Sequence, residues 1–264
     1  MFDLSYIVFI LLGFVVGVLM GVTGMGGAVL MTPALILLGV SPLTAVGTDL
    51  LFMAVTKSFG TLFHGIKRNL DIKIGIKLFL GALPAFVIAY VILLFIDKDF
   101  VNRYLTFVLG GLLVLVAILT FIRLKAQQKE DFKKTASEEN GMKQTLTILA
   151  VGFIVGLTVQ FTSVGAGIIV IFALVYLLKM TPKVVVGTSL LFGVMMSILG
   201  AVSHFTLGNV DYIMAIFLMI GSVVGIYFGT QMTTKIPAAK FKVVLDVGIL
   251  FLGLFTLGMA VYKM

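Results

Sequence analysis

The chain has 264 residues, of which 61% are hydrophobic and 11% charged, with a mean hydropathy of +1.23. Soluble domains average roughly 45–50% apolar and 25% charged residues. The composition therefore excludes a soluble globular fold, and the apolar runs do not alternate as the strands of a membrane β-barrel must. The net charge of +8 sits in loops between apolar runs, where cations signal topology and meet lipid headgroups rather than nucleic acid, and the absence of cysteine excludes disulfides and thiolate carriers.

Apolar segments recur at 4–22, 28–40, 43–63, 74–96 and 103–123, and again at 145–162, 168–179, 184–204, 212–232 and 241–262. Most are long enough to cross a hydrocarbon core of about 30 Å as helix. The expected fold is all-α and polytopic, with about 8–10 transmembrane segments. The start of the chain, Met1-Phe2-Asp3-Leu4, has no basic region, so no cleaved signal peptide is expected. Residues 1–123 form a first transmembrane repeat and 144–264 a second, joined by a polar cytoplasmic linker at 124–143. That linker also fits a short amphipathic surface helix.

The duplication is visible in the punctuation of the chain. Thr23-Gly24-Met25-Gly26-Gly27, Ser41-Pro42, Gly47-Thr48-Asp49, His64 and Asn69-Leu70-Asp71 recur 140 positions later as Ser163-Val164-Gly165-Ala166-Gly167, Thr181-Pro182, Gly187-Thr188-Ser189, His204 and Asn209-Val210-Asp211. The charge bias reverses between the copies. The 64–77 connection carries Lys67, Arg68, Lys73 and Lys77, whereas its counterpart at 204–212 has no Lys or Arg. Conversely, 233–242 holds Lys235, Lys240 and Lys242. Cations favour the cytoplasmic side, so the copies insert upside down relative to each other. Such inverted-topology repeats are a transporter architecture. This reading puts the protein in the cell membrane with both termini extracytoplasmic. Residues 28–40 make only about 20 Å of helix, so this segment and 168–179 either thin the bilayer or form re-entrant hairpins with segments one and six.

Candidate site residues follow from the same repeat. Gly24, Gly26 and Gly27, and Gly165 and Gly167, precede short helices, whose N-terminal N–H groups suit an anion. Thr23 and Ser163 add hydroxyls to these turns, and Gln160 is a polar group inside a span. Thr48, Thr188 and Ser189 follow the proline turns; a bond back to the preceding turn's carbonyls is the blander role for the threonines. Asp49 is an acid inside an apolar segment and thus a functional candidate, with Lys57 its nearest partner by sequence. The pair is assigned to ion coupling, with Asp49 a candidate proton carrier. Asp71 and Asp211 have the placing of helix N-caps. Asp246 pairs most simply with Lys242, and His64 and His204 stand at equivalent helix ends, so neither a metal set nor a catalytic cluster is expected. No cofactor is expected.

Gly21-Val22-Thr23-Gly24-Met25-Gly26-Gly27 ahead of Pro33, the turn Gly39-Val40-Ser41-Pro42 with Ala45-Val46-Gly47-Thr48, and their second-half echoes resemble the sulfite exporter TauE/SafE family of membrane permeases. The resemblance covers most of the chain outside 124–143. It implies movement of small sulfur-containing anions such as sulfite or organosulfonates, or of related carboxylates. The second copy departs from the first where Val164 replaces Gly24, Ala166 replaces Gly26 and Ser189 replaces Asp49. The expectation is a secondary transporter of a small anion, the substrate held between the halves. An anion channel and a carrier of small carboxylates are the alternatives. An enzyme is not expected, because only two histidines exist and the repeat places them on opposite sides of the membrane.

Overall fold

A computed structural model describes residues 4–23, 28–66, 70–127, 141–164, 166–178, 180, 182–232 and 238–262. Among these residues the regular structure is helical throughout. The elements are α1 (Leu4–Thr23), α2 (Ala28–Leu37), α3 (Pro42–Ile66), α4 (Ile72–Phe95), α5 (Lys98–Gln127), α6 (Gly141–Thr162), α7 (Ala166–Tyr176), α8 (Pro182–Thr206), α9 (Tyr212–Met232) and α10 (Ala238–Tyr262). Among the described residues, five helices are long and apolar enough to cross a membrane, the spans lying within α4, α5, α6, α8 and α9. The chain is a polytopic α-helical membrane protein.

The two short segments are shorter as helices than as apolar runs. At 1.5 Å per residue, α2 with 10 residues and α7 with 11 reach about 15–17 Å, half a bilayer core. Glycine ends α2: Gly39 adopts a φ of 90°, and the N–H groups of Gly39 and Val40 donate to the carbonyls of Ile36 and Leu35. Asp71 and Asp211 do cap the following helices, their carboxylates accepting from the N–H groups of Ile74 and Met214 at 3.0 and 2.9 Å.

The long helices pair across the two halves: α1 with α9, α4 with α6, α3 with α8 and α5 with α10. The first two pairs are glycine seams. A Cβ on Gly13, Gly17, Gly221, Gly225 or Gly229 would lie 2.0–2.4 Å from a carbonyl oxygen of the facing helix. The partners are Leu218, Ser222, Ile10, Phe14 and Val18 in that order, so α1 and α9 run parallel at backbone contact. Gly81, Gly152 and Gly156 make the equivalent seam between α4 and α6.

These seams refine the repeat. Gly13-Phe14-Val15-Val16-Gly17 corresponds to Gly152-Phe153-Ile154-Val155-Gly156, an offset of 139 (152 − 13), and α1 and α6 end at Thr23 and Thr162 with the same offset. From Gly27 and Gly167 onward the offset is 140. Thr23 therefore corresponds to Thr162, not to Ser163 as a constant offset implies, and the second copy carries one extra residue at its helix break.

The equivalent helices α3 and α8 run antiparallel. Lys57 faces Gly193 and Leu50 faces Gly200, so residue i of α3 lies beside residue 250 − i of α8. Two copies whose matching helices are antiparallel are inverted, as the loop charges required. With an offset of 140, the pseudo-two-fold axis passes beside Val55 and Met195. Mirrored clasps close both ends of this pair. The Thr48 hydroxyl accepts from the N–H of Asp211, and the Thr188 hydroxyl from the N–H of Asp71, each at 3.0 Å. Both threonines are fully buried. Thr48→Val leaves the Asp211 N–H unsatisfied and costs about 1–3 kcal/mol. Thermal unfolding in detergent checks this: a clear loss in Thr48→Val with little loss in Thr48→Ser is the expected pattern.

Candidate functional site

The break between α6 and α7 is built by local hydrogen bonds. Ser163 follows the last residue of α6 with a φ of 55°, a left-handed conformation that costs a side-chain-bearing residue about 1–2 kcal/mol. Its N–H donates to the Val159 carbonyl at 2.8 Å, and the Val164 N–H donates to the Thr162 hydroxyl at 3.3 Å. These two amides are therefore used inside the break. Beyond it, the second residue of α7 is Gly167, around whose Cβ position there is space.

Ser163 turns its hydroxyl onto Asp49 Oδ2 at 2.5 Å. Thr32, one turn into α2, has its Oγ1 2.6 Å from the same oxygen and 2.6 Å from Ser163 Oγ. All three residues are buried, and Asp49 Oδ1 is buried with no partner. Thr32 thus joins the short helix of the first half to the helix break of the second through the one acid of α3. The sequence offered only a weak signal for it, a hydroxyl ahead of Pro33 inside an apolar run.

Asp49 and Lys57 do not pair. Their backbones stand about 12 Å apart along the helix, and the carboxylate bonds to Thr32 and Ser163 instead, so Lys57 acts on Asp49 only through longer-range attraction. Lys57 is 5% exposed, with no hydrogen-bond or ion-pair partner among the described residues. Its Nζ lies 3.2 Å from where a Cβ of Gly193 would be. It stands two residues, about 3 Å of helix rise, from the pseudo-two-fold axis, whereas Asp49 stands six residues, about 9 Å, away on the other side.

Gln160 enters a second polar cluster. Its Nε2 donates to Ser203 Oγ at 2.7 Å, and its backbone carbonyl, in the last turn of α6, accepts from His204 Nε2 at 2.9 Å. His204 is fully buried and closes the broken helix as a cap would. The other candidates disperse. Thr48 and Thr188 hold the two clasps, bonded across the halves rather than back to their own turns, and lie 14 residues of α3, about 21 Å, apart, so one small anion does not touch both. Ser189 bonds back to the Val186 carbonyl. Thr23 ends α1, but its side chain lies outside the described residues, as do Gly24, Gly26, Gly27, Gly165 and the side chains of His64, Lys242 and Asp246.

Replacing Ser163 separates its two roles. Ser163→Gly loses the bond to Asp49 but relieves the backbone; Ser163→Ala loses the bond and keeps the strain. Ser163→Ala is expected to be the less stable by about 1 kcal/mol, read from unfolding midpoints, and equal midpoints would count against the strain.

An inverted helical repeat with a broken helix and buried ionisable groups between its halves defines a membrane transporter rather than an enzyme. The chain belongs to the sulfite exporter TauE/SafE family, whose profile, described as "TauE: Sulfite exporter TauE/SafE", matches residues 9–256. It is 33% identical to the probable membrane transporter protein YjnA of Bacillus subtilis (strain 168) over 247 residues, 93% of this chain and 97% of that one. It is 26% identical to the probable membrane transporter protein YunE of the same organism, with 95% and 96% covered. It is 29% identical to the probable membrane transporter protein YdhB, also from that strain, with 88% and 92% covered. No solved structure matches the chain.

Proposed function

We propose that the protein is a secondary carrier of a small, weakly hydrated anion in the cell membrane, with sulfite or an organosulfonate the first substrates to test. The observation that carries this reading is Lys57, a buried cation without an ion-pair partner among the described residues, beside the pseudo-two-fold axis and opposite the bare backbone of Gly193. A site near the bilayer midplane at the repeat interface is where inverted-repeat carriers hold their cargo. Arginine supports a singly charged cargo: the chain has only Arg68, Arg103 and Arg123, all at segment ends, so no guanidinium clamp for a phosphate ester is available. The open N-terminal end of α7 near Gly167, together with Ser163 and Gln160, supplies further polar surface. Thr23, Gly24, Gly26 and Gly27 are proposed for a comparable role in the first half from their sequence alone.

The loop charges support extracytoplasmic termini and a cytoplasmic 124–143 linker. An inside-negative potential favours exit of a monoanion by about 2.3 kcal/mol per 100 mV. Export then needs no coupling ion, whereas uptake does, and Asp49 is the group placed to carry one. Counterflow of labelled sulfite, methanesulfonate or a small carboxylate in proteoliposomes tests the carrier. Saturable counterflow supports it, while flux without counterflow points to a channel.

A further inference from the structure

Thr32 Oγ1, Asp49 Oδ2 and Ser163 Oγ form a closed triangle with edges of 2.6, 2.5 and 2.6 Å. Contacts this short between oxygens are those of O–H···O hydrogen bonds, each requiring a proton. The two hydroxyls bring two protons. If both donate to an ionised Asp49, the 2.6 Å contact between Thr32 and Ser163 has none, and two lone pairs face each other in a buried site. A metal ion does not resolve this. Even around magnesium, with ligands at 2.0–2.1 Å in octahedral array, neighbouring oxygens stand roughly 2.9 Å apart. A proton on Asp49 does resolve it: Oδ2 donates to one hydroxyl, that hydroxyl to the other, and the second back to Oδ2.

We propose that Thr32, Asp49 and Ser163 are a proton-coupling site, occupied in this conformation, which locks α2 against the α6–α7 break and releases it when the proton leaves. This deepens the carrier reading and rests on it for the anion, though not for the proton. Loss of the proton turns one edge of the triangle repulsive, so α2 and the break separate. Ser163 is held in its strained left-handed conformation by the same ring. The site exists once per chain. Ser189 and Phe172 stand where the repeat would put a second Asp49 and Thr32, and the Ser189 hydroxyl is bonded to its own helix. One proton travelling with one monoanion moves no net charge, so the membrane potential no longer opposes uptake.

The groups that bear on this titration are few among the described side chains. On α3 itself there is Lys57, two turns away, and on α8 His204, whose Nε2 is committed to Gln160. No residue of α2 titrates, and on α6 only the exposed Lys143 at its far end does. The titratable groups of α9, Tyr212 and Tyr227, and those at the start of α5, Lys98, Asp99, Arg103 and Tyr104, are exposed.

Difference infrared spectroscopy of the purified full chain tests the proton without requiring transport. The expected result is the carbonyl stretch of a neutral carboxyl at neutral pH, absent in Asp49→Asn and moved to higher frequency in Thr32→Val, which keeps the acid but opens the ring. No such band in the wild type, or an unmoved band in Thr32→Val, overturns the proposal. In proteoliposomes loaded with a pH dye, uptake of methanesulfonate, a monoanion at every pH tested, should carry protons inward. Asp49→Asn should lower the protons moved per anion to background, and an unchanged ratio overturns the coupling. If no tested anion moves in the wild type, the carrier reading fails while the infrared result still decides whether Asp49 holds the proton.

Discussion

Lys57→Met should abolish anion-dependent stabilisation of the purified protein while leaving the empty protein as stable as before, or more so. The reasoning sets two effects against each other. Hydrogen bonds to charged groups contribute about 1.5–3 kcal/mol, so losing the ammonium weakens anion affinity roughly 10- to 150-fold. In the empty state, however, Lys57 is a charge out of water with no hydrogen-bond or close ion-pair partner among the described residues, only the longer-range attraction of Asp49. Burying such a charge is costly, and methionine of similar length removes that cost. A variant that lost both binding and stability would instead give Lys57 a structural role. Lys57→Arg keeps the charge but not its shape, and the space beside Gly193 is narrow. It should recover only part of the binding. The measurement is a titration of melting temperature against sulfite, methanesulfonate and small carboxylates, and full anion-induced stabilisation in Lys57→Met would sink the proposed site.

The largest structural effect should come from the glycine seams. Gly221→Leu places a side chain whose first carbon falls 2.0 Å from the Ile10 carbonyl oxygen. Backbone cannot yield as a side chain can, so α1 and α9 must move apart along their whole contact. Overpacking typically costs 1–3 kcal/mol, and the upper end, about 3 kcal/mol or failure to accumulate as folded protein, is expected here. Gly111 and Gly258 are the controls. A Cβ at either meets nothing within 4 Å, and alanine is the better helix former by about 0.5–1 kcal/mol, so Gly111→Ala and Gly258→Ala should be neutral or slightly stabilising. Fluorescence-detected size-exclusion melts would separate the two groups, and equal melts would refute the seam.

The inversion of the repeats was legible because loop charge and repeat order are both written in one dimension. Helix ends were read to within a few residues for most segments, although α5 continues to Gln127, into what the polar residues suggest as linker. Pairings between distant helices were not legible. Asp49 and Lys57 look like neighbours on a helical wheel, but a wheel discards the 12 Å or so of rise between them, and three-dimensional packing gives the carboxylate Thr32 and Ser163. Thr32 escaped notice because its repeat mate is Phe172, so symmetry did not mark it. Thr48 and Thr188 stood out by symmetry, and symmetry proved to serve the clasps between the halves. The one-residue shift at the second break was hidden in a run of small and apolar residues, where either offset reads well. Only the facing glycines fixed it.

The pairing of α1 with α9 has a consequence for how the molecule comes into being. Gly17 meets Ser222, 205 positions later in the chain (222 − 17). At about 5–20 residues per second of synthesis, α1 waits roughly 10–40 seconds in the membrane before its seam partner is made. Through that interval its glycine face is open to lipid or to the wrong helix, and α4 waits for α6 in the same way but more briefly. The protein thus cannot assemble half by half as it leaves the ribosome. Its last helices complete the packing of its first, and a chain cut short in the second half leaves the amino-terminal helix without the surface it is shaped to meet.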